Sequence, residues 1–224
     1  MQRMVFQNGL IIVACLKNVK IELIFGQFDF YSYICNMKIN IKQRIKRLGI
    51  TCSVDGKQFV RGIECVDLGL PSGTLWAKCN LGANSEIDYG KHYQFGYFKP
   101  YKETCKKFDL IDFGSINGWT VPTQDQFREL LENTERRWIT INRVGGYKFT
   151  SKVDETKYVF FPTAGEFYSG NVTDVGIYGY YWSSSLHFID VQNAYGLRFS
   201  RVTMYWQHYD NRRVGRSLRL VFNG

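Results

Sequence analysis

Cysteine is absent beyond Cys105, so the C-terminal half of this 224-residue chain can form no disulfide within itself. The six cysteines present (Cys15, Cys35, Cys52, Cys65, Cys79 and Cys105) are irregularly spaced. None forms a C-x-x-C pair or lies near a histidine pair, which leaves a zinc site without support. A chain of this length can build a sufficient core without a disulfide framework, so partly buried thiols are the expected state. No apolar run approaches the roughly 18 residues that would span a bilayer, so no transmembrane segment is expected. Histidine is limited to His92, His187 and His208, and none stands in metal-ligand spacing or beside a G-x-S-x-G nucleophile signature. There is no glycine-rich phosphate loop, because the glycines at 165, 170, 176 and 179 punctuate turns. Catalytic residues, metal and cofactors are therefore all expected to be none.

What is present is an ordinary globular balance, 45% hydrophobic and 22% charged, with two departures: aromatics at 17% and a formal charge of +9. A basic chain raises nucleic acid as a partner, but the location of the charge decides. Residues 1–60 hold nine Lys/Arg against three Asp/Glu, whereas residues 61–224 hold twenty against seventeen. The basic character thus belongs to the first sixty residues, and no nucleic acid is expected as the partner of the remainder. The aromatics lie at the other end, fifteen of them between Tyr158 and Tyr209.

Two regions follow: an N-terminal extension, residues 1–60, and a ligand-binding domain, residues 61–224. In the extension, Ile12-Val13-Ala14-Cys15 loosely fits a lipoprotein cleavage site, with a small residue before a lipidated cysteine. The competing reading makes residues 1–36 upstream sequence and Met37 the natural start. Residues 38–48 place five positive charges among four aliphatics in neither helical nor alternating spacing. They read as a solvated lead-in to the domain, with a basic surface-binding helix as the alternative.

From Gly62 onward short β-rich runs alternate with Gly, Asn, Asp and Ser. One segment is helical: Thr123 caps it, Gln126 completes a capping box, and Phe127, Leu130 and Leu131 form its apolar face, with an end near Asn133. A second helix is expected from residue 85 to about 93. This pattern predicts an α+β domain with a small, irregular antiparallel sheet. In the tail, Leu197, Phe199, Val202, Met204 and Trp206 alternate with Arg198, Ser200, Thr203, Tyr205 and Gln207, and a turn or bulge falls at Ser200-Arg201.

Four separated phrases occur in order: VDLGLPSGTLWAKCNLGA from residue 66, GWTVPT from 118, YGYYWSSS from 178 and GRSLRLV from 215. Together they resemble the fibrobacter-type major paralogous domain of Bacteroidetes-type gut bacteria and their phages, over roughly residues 63–222. The family often has Arg where this chain has Thr120 and Pro where it has Leu220. The resemblance implies a C-type-lectin-like fold, in some members with a C-terminal region diversified by a phage-type retroelement. Calcium-dependent lectins of that fold carry Glu-Pro-Asn or Gln-Pro-Asp with Trp-Asn-Asp, and related oxidases carry a late cysteine pair; neither pattern occurs here.

The expected function is a non-enzymatic binding or adhesion module of a bacterial surface protein or phage receptor-binding protein, with a cell-surface protein or glycan as ligand. Its recognition face comprises Arg198, Ser200, Thr203, Tyr205, Gln207, His208, Asp210 and Arg213, with His187, Asp190 and Asn193 on a neighbouring loop. Trp76, Trp119, Trp182, Gly215 and Arg219 read as scaffold, Arg219 as a hydrogen-bond fork to carbonyls or a carboxylate. The alternatives are a glycan-active enzyme with paired carboxylates, for which Glu86 and Asp88 or Glu129 and Glu132 are the candidates, and nucleic-acid binding through residues 38–47.

Overall fold

The computed structural model describes residues 11–16, 19–24, 51–54, 56–98, 100 and 113–223, so the basic segment at 38–48 lies outside the described residues. The chain divides into two units, Met1–Cys65 and Val66–Gly224. In the first, β1 (Ile11–Leu16) and β2 (Val19–Ile24) pair as an antiparallel hairpin, with Cys15 opposite Lys20. An antiparallel meander follows, β3 (Thr51–Val54), β4 (Lys57–Val60) and β5 (Ile63–Asp67), whose last two residues enter the second unit. No helix among the described residues is long and apolar enough to cross a membrane.

Among the described residues the second unit carries the remaining strands and one helix. β6 (Leu75–Ala77) and β7 (Tyr93–Gln94) precede α1 (Gln124–Asn133). Then come β8 (Thr134–Ile141), β9 (Val144–Ser151) and β10 (Tyr158–Pro162), a meander in the order β10-β9-β8. β11 (Glu166–Tyr168) and β12 (Asn171–Thr173) form a hairpin. β13 (Gly179–Leu186), β14 (Asn193–Phe199) and β15 (Met204–Asn211) form a second meander with β15 at its edge. The chain closes with β16 (Gly215–Arg216), inserted between β11 and β7, and β17 (Val221–Phe222), paired with β6.

This architecture corrects the expected fold class. Among the described residues the structure is mostly β, about 48% strand against 6% helix, in small antiparallel sheets, and it is not a clearly α+β, C-type-lectin-like fold. α1 forms as its capping box dictates: the Thr123 hydroxyl accepts from the Gln126 amide, and the Gln126 side chain accepts from the Thr123 amide. The second helix is missing, and residues 84–90 form turns and bends instead. There the Asp88 carboxylate accepts from the amides of Asn84 and Gly90, while Gly82 and Gly90 take positive φ. Side-chain-to-backbone bonds of this kind compete directly with the helical ladder.

Turn chemistry explains the hairpins. Asn142 and Arg143 link β8 to β9 with φ of 47° and 70°, the two-residue loop with both residues left-handed whose twist matches paired strands. An exposed arginine there carries a backbone cost that glycine would not. Close approach matters at Gly179, which pairs with Phe199: a Cβ would lie 2.2 Å from that ring.

The core lies between α1 and the two meanders. Phe127 and Leu130 from α1 pack with Trp76, Phe149, Phe161, Tyr181, Leu197 and Phe199, all fully buried. Fully burying a side chain of this size contributes about 2 kcal/mol. Phe161 meets Tyr181 tilted at 4.8 Å and Phe149 meets Phe161 edge-on at 5.1 Å, while Tyr181 stacks on Phe199 at 5.9 Å. The Tyr181 hydroxyl is satisfied, donating to the Pro162 carbonyl at 2.8 Å and accepting from Asn80. Arg219, also fully buried, donates to the carbonyls of Ala77, Lys78 and Phe160 and lies over the Phe161 ring.

Replacing Arg219 by Met should strand those three carbonyls and cost about 3 kcal/mol, read as a lower urea midpoint. By contrast, Arg143→Gly should raise stability by about 0.5–1 kcal/mol by relieving the left-handed arginine, with an unchanged urea slope.

Candidate recognition face on the edge strand

The register of β13, β14 and β15 sorts the predicted binding residues. Tyr180 pairs with Arg198, and Arg198 with Tyr205. Gly196 pairs with His208, so β15 spends three residues where β14 spends two. The resulting bulge puts Tyr205 and His208 on the face of Arg198 although they are three apart in sequence. Phe199 pairs with Met204 on the opposite face, where Met204 and Trp206 lie against the core.

Tyr205 is 52% exposed, and Gln207 and Tyr209 are exposed as well. With Arg198, Trp206 and His208 they line an open groove of about 460 Å³. The Arg198 guanidinium lies 4.4 Å from the Tyr178 ring centroid and 5.7 Å from that of Tyr180, and it has no carboxylate partner among the described residues. At one end of the strand an aromatic group gathers: the His187 ring is 4.3 Å from Tyr209 and 5.1 Å from Tyr195. Tyr178, Tyr195, Trp206 and Tyr209 were not among the predicted site residues. Their recruitment depends on register and on a bulge that alternation alone does not reveal.

Several predicted residues are engaged elsewhere. Ser200 is buried, and its hydroxyl accepts from the amides of Val202 and Thr203 and bonds the Thr203 hydroxyl at 2.8 Å. Ser200 and Thr203 thus build the β14–β15 turn. Asp190 organises its own loop, accepting from the Gln192 amide and the Asn193 side chain, while its amide donates to His187 Nδ1. That loop presents Phe188 and Ile189 to solvent at its tip. Arg213 is exposed in the turn after β15, and its amide donates to the Asn211 side chain.

Asp210 and His208 face a buried cation. Arg216 is fully buried; its Nη2 donates to Asp210 at 2.7 Å and to Glu166 at 3.2 Å, and its Nε also reaches Glu166. The guanidinium lies over Trp182 at 4.4 Å and Tyr180 at 5.0 Å. Trp182 is itself held by its indole N–H donating to the Tyr93 carbonyl. Burial raises the Glu166 carboxyl, against the pull of Arg216. The Tyr180 hydroxyl donates to Asp174, and burial pushes it up to about 12. Burial first, then the charges of Arg216 and Arg198, bring His208 down to about 4. The 3.9 Å approach of His208 to Asp210 is therefore not an ion pair at neutral pH.

The other scaffold residues, Trp76, Trp119 and Gly215, are buried. The acid pairs of the enzymatic alternative are also placed. Glu86 binds Lys78 at 2.8 Å and the Tyr158 hydroxyl at 3.1 Å, and Asp88 caps its turn. Glu129 accepts from both the amide and the hydroxyl of Ser72. Among the described residues no three His, Cys, Asp or Glu side chains are grouped to hold a metal ion. No family model, no curated protein and no solved structure matches the chain.

The low pKa of His208 sets a sign. Its folded value lies below its unfolded value near 6.5, so its contribution to stability is whole above about pH 6.5 and is lost as pH falls towards 4. An NMR titration should place the His208 midpoint near 4, and His208→Gln should remove that part of the stability loss between those pH values.

Proposed function

We propose that the chain is a non-enzymatic ligand-binding module whose recognition face is the edge strand β15 with Arg198 and the His187 loop. The observation that carries this is the pairing, along one open groove, of exposed aromatics with a cation that has no carboxylate partner among the described residues. Tyrosine offers large, rigid, amphipathic area at small entropic cost, and arginine offers directed donors, so these two residue types anchor protein and saccharide ligands alike. The groove's side chains include no carboxylate, whereas glycoside cleavage uses two flanking the scissile bond. Glu166 and Asp210 do approach one another, but Arg216 lies between them and donates to both, so neither is presented to the groove as a free carboxylate.

The four phrases that resemble the fibrobacter-type paralogous domain support the same reading. On this reading the chain is a surface-displayed or virion-borne binding module, anchored on a cell through Cys15 or carried on a phage, with a cell-surface protein or glycan as ligand. The lectin-like fold that the resemblance implies is not part of this reading.

Tyr205→Ala and Arg198→Ala should each weaken binding to target cells by about 2 kcal/mol, roughly 30-fold, with little change in melting temperature because neither side chain lies in the core. Flow cytometry of bacterial cells with the labelled chain reads this out. Binding that survives both substitutions would place recognition elsewhere.

A further inference from the structure

The backbone of β15 carries a second signal. Its sheet runs β13-β14-β15, so one side of Met204–Asn211 pairs with β14 while the other has no strand among the described residues. Along residues 204–210 that outer edge has no backbone hydrogen-bond partner among the described residues. An open edge is normally guarded by charge, proline or brevity. β8, also at the edge of its sheet, is guarded: Glu135, Arg136 and Arg137 stand in a row near its start. β15 is eight residues long, has no proline, lysine or arginine, and its single formal charge, Asp210, is held by Arg216. His208 is neutral at pH 7.

Two grooves meet at this edge. The first is the one lined by Arg198, Tyr205 and His208. The second, of about 590 Å³, lies between β15, α1 and the start of β8, with Arg128, Arg136 and Lys152 on its walls. Both include Met204 and Trp206. An extended chain sends successive side chains to opposite faces, so a strand laid on this edge would feed the two grooves alternately. The first groove carries one cation, Arg198, and the second three, Arg128, Arg136 and Lys152. Glu132 and Glu135 also line the second groove and Asp125 pairs with Arg128, but Arg198, Arg136 and Lys152 have no carboxylate partner among the described residues.

We propose that β15 is a strand-addition site for an extended, acidic segment of a partner protein, whose backbone pairs with the open edge while its side chains enter the two grooves. This deepens the recognition role of the same strand and rests on it. The bulge at Trp206–Gln207 bends the edge, which limits pairing to a short stretch. A short peptide tolerates that bend. A second copy of the chain, antiparallel across a two-fold axis, would set bulge against bulge and arginine grooves against each other.

The test uses the full chain and an array of peptides about ten residues long with acidic, hydroxyl, apolar and basic compositions. Acidic members should bind above neutral and basic ones. The best binder is then made in two forms, N-methylated at alternate amides in each of the two phases. One phase should lose at least ~tenfold in affinity and the other change by less than about twofold, because only one set of amides faces the edge. The outward amides of Met204–Asn211 should gain at least ~tenfold hydrogen-exchange protection in the complex. Equal affinity of both N-methylated forms, preference for basic peptides, or an array without binders would overturn strand addition. So would a dimer whose β15 amides are already protected without peptide. A silent array with cell binding still lost in Tyr205→Ala and Arg198→Ala removes strand addition and leaves the recognition face. A phase-dependent peptide complex with cell binding unmoved by those substitutions does the reverse.

Discussion

The segment from Gly215 to Val221 holds the second unit together. It pairs with β7 and β11 through Gly215 and Arg216, bridges to β13 through Ser217 and to β6 through Val221, and is buried throughout. One short run of backbone thus joins elements from three sheets. Two arginines buried along it face different problems. Arg219 has backbone carbonyls as acceptors, so its charge is stabilised by dipoles and by the Phe161 face. Arg216 has two carboxylates and two aromatic faces. Removing a charged group from water costs several kcal/mol, so each must keep its full set of partners, and that requirement constrains the strands that supply them.

The recognition face follows from this constraint. Arg216 draws Asp210 and His208 towards the scaffold and lowers the tendency of His208 to protonate. Along one face of the strand, therefore, the C-terminal residues His208 and Asp210 are committed to the scaffold while Tyr205 and Arg198 stay available. Tyr205, Gln207 and Tyr209 remain exposed because the sheet ends at β15, with no strand beyond it among the described residues. The ladder to β14 and the packing of Met204 and Trp206 hold the strand rigid, so a ligand would lose little to ordering it.

Elements closed by near neighbours are legible in the sequence. The capping box at Thr123 and Gln126 is complete within four residues, and α1 forms there. The break at Ser200-Arg201 is the β14–β15 turn, held by the Ser200 hydroxyl, which is also why Ser200 belongs to the turn and not to the face. One local signal runs against the expected helix over 85–93: Asp88, with Gly90 two residues on, closes a turn there. Signals that depend on distant partners are not legible. The alternation in the tail does not show that two residues of β15 oppose one of β14, so Tyr209 is not legible as part of the site. Asp210 reads from the sequence as a surface residue because Arg216, its partner, comes six positions later and is fully buried.

By itself the amino-acid sequence determined the elements whose cause is local: one capped helix, many short strands separated by turn residues, an aromatic-rich C-terminal third and a charge excess confined to the first sixty residues. The tertiary structure alone decided the mostly-β class, which strand lies at the sheet's edge, and which polar side chains are consumed by the buried arginines. The physical reason is that helix caps and turns are closed by neighbours within a few residues. Edges, bulges and buried ion pairs are closed by groups far along the chain, and only folding brings those together.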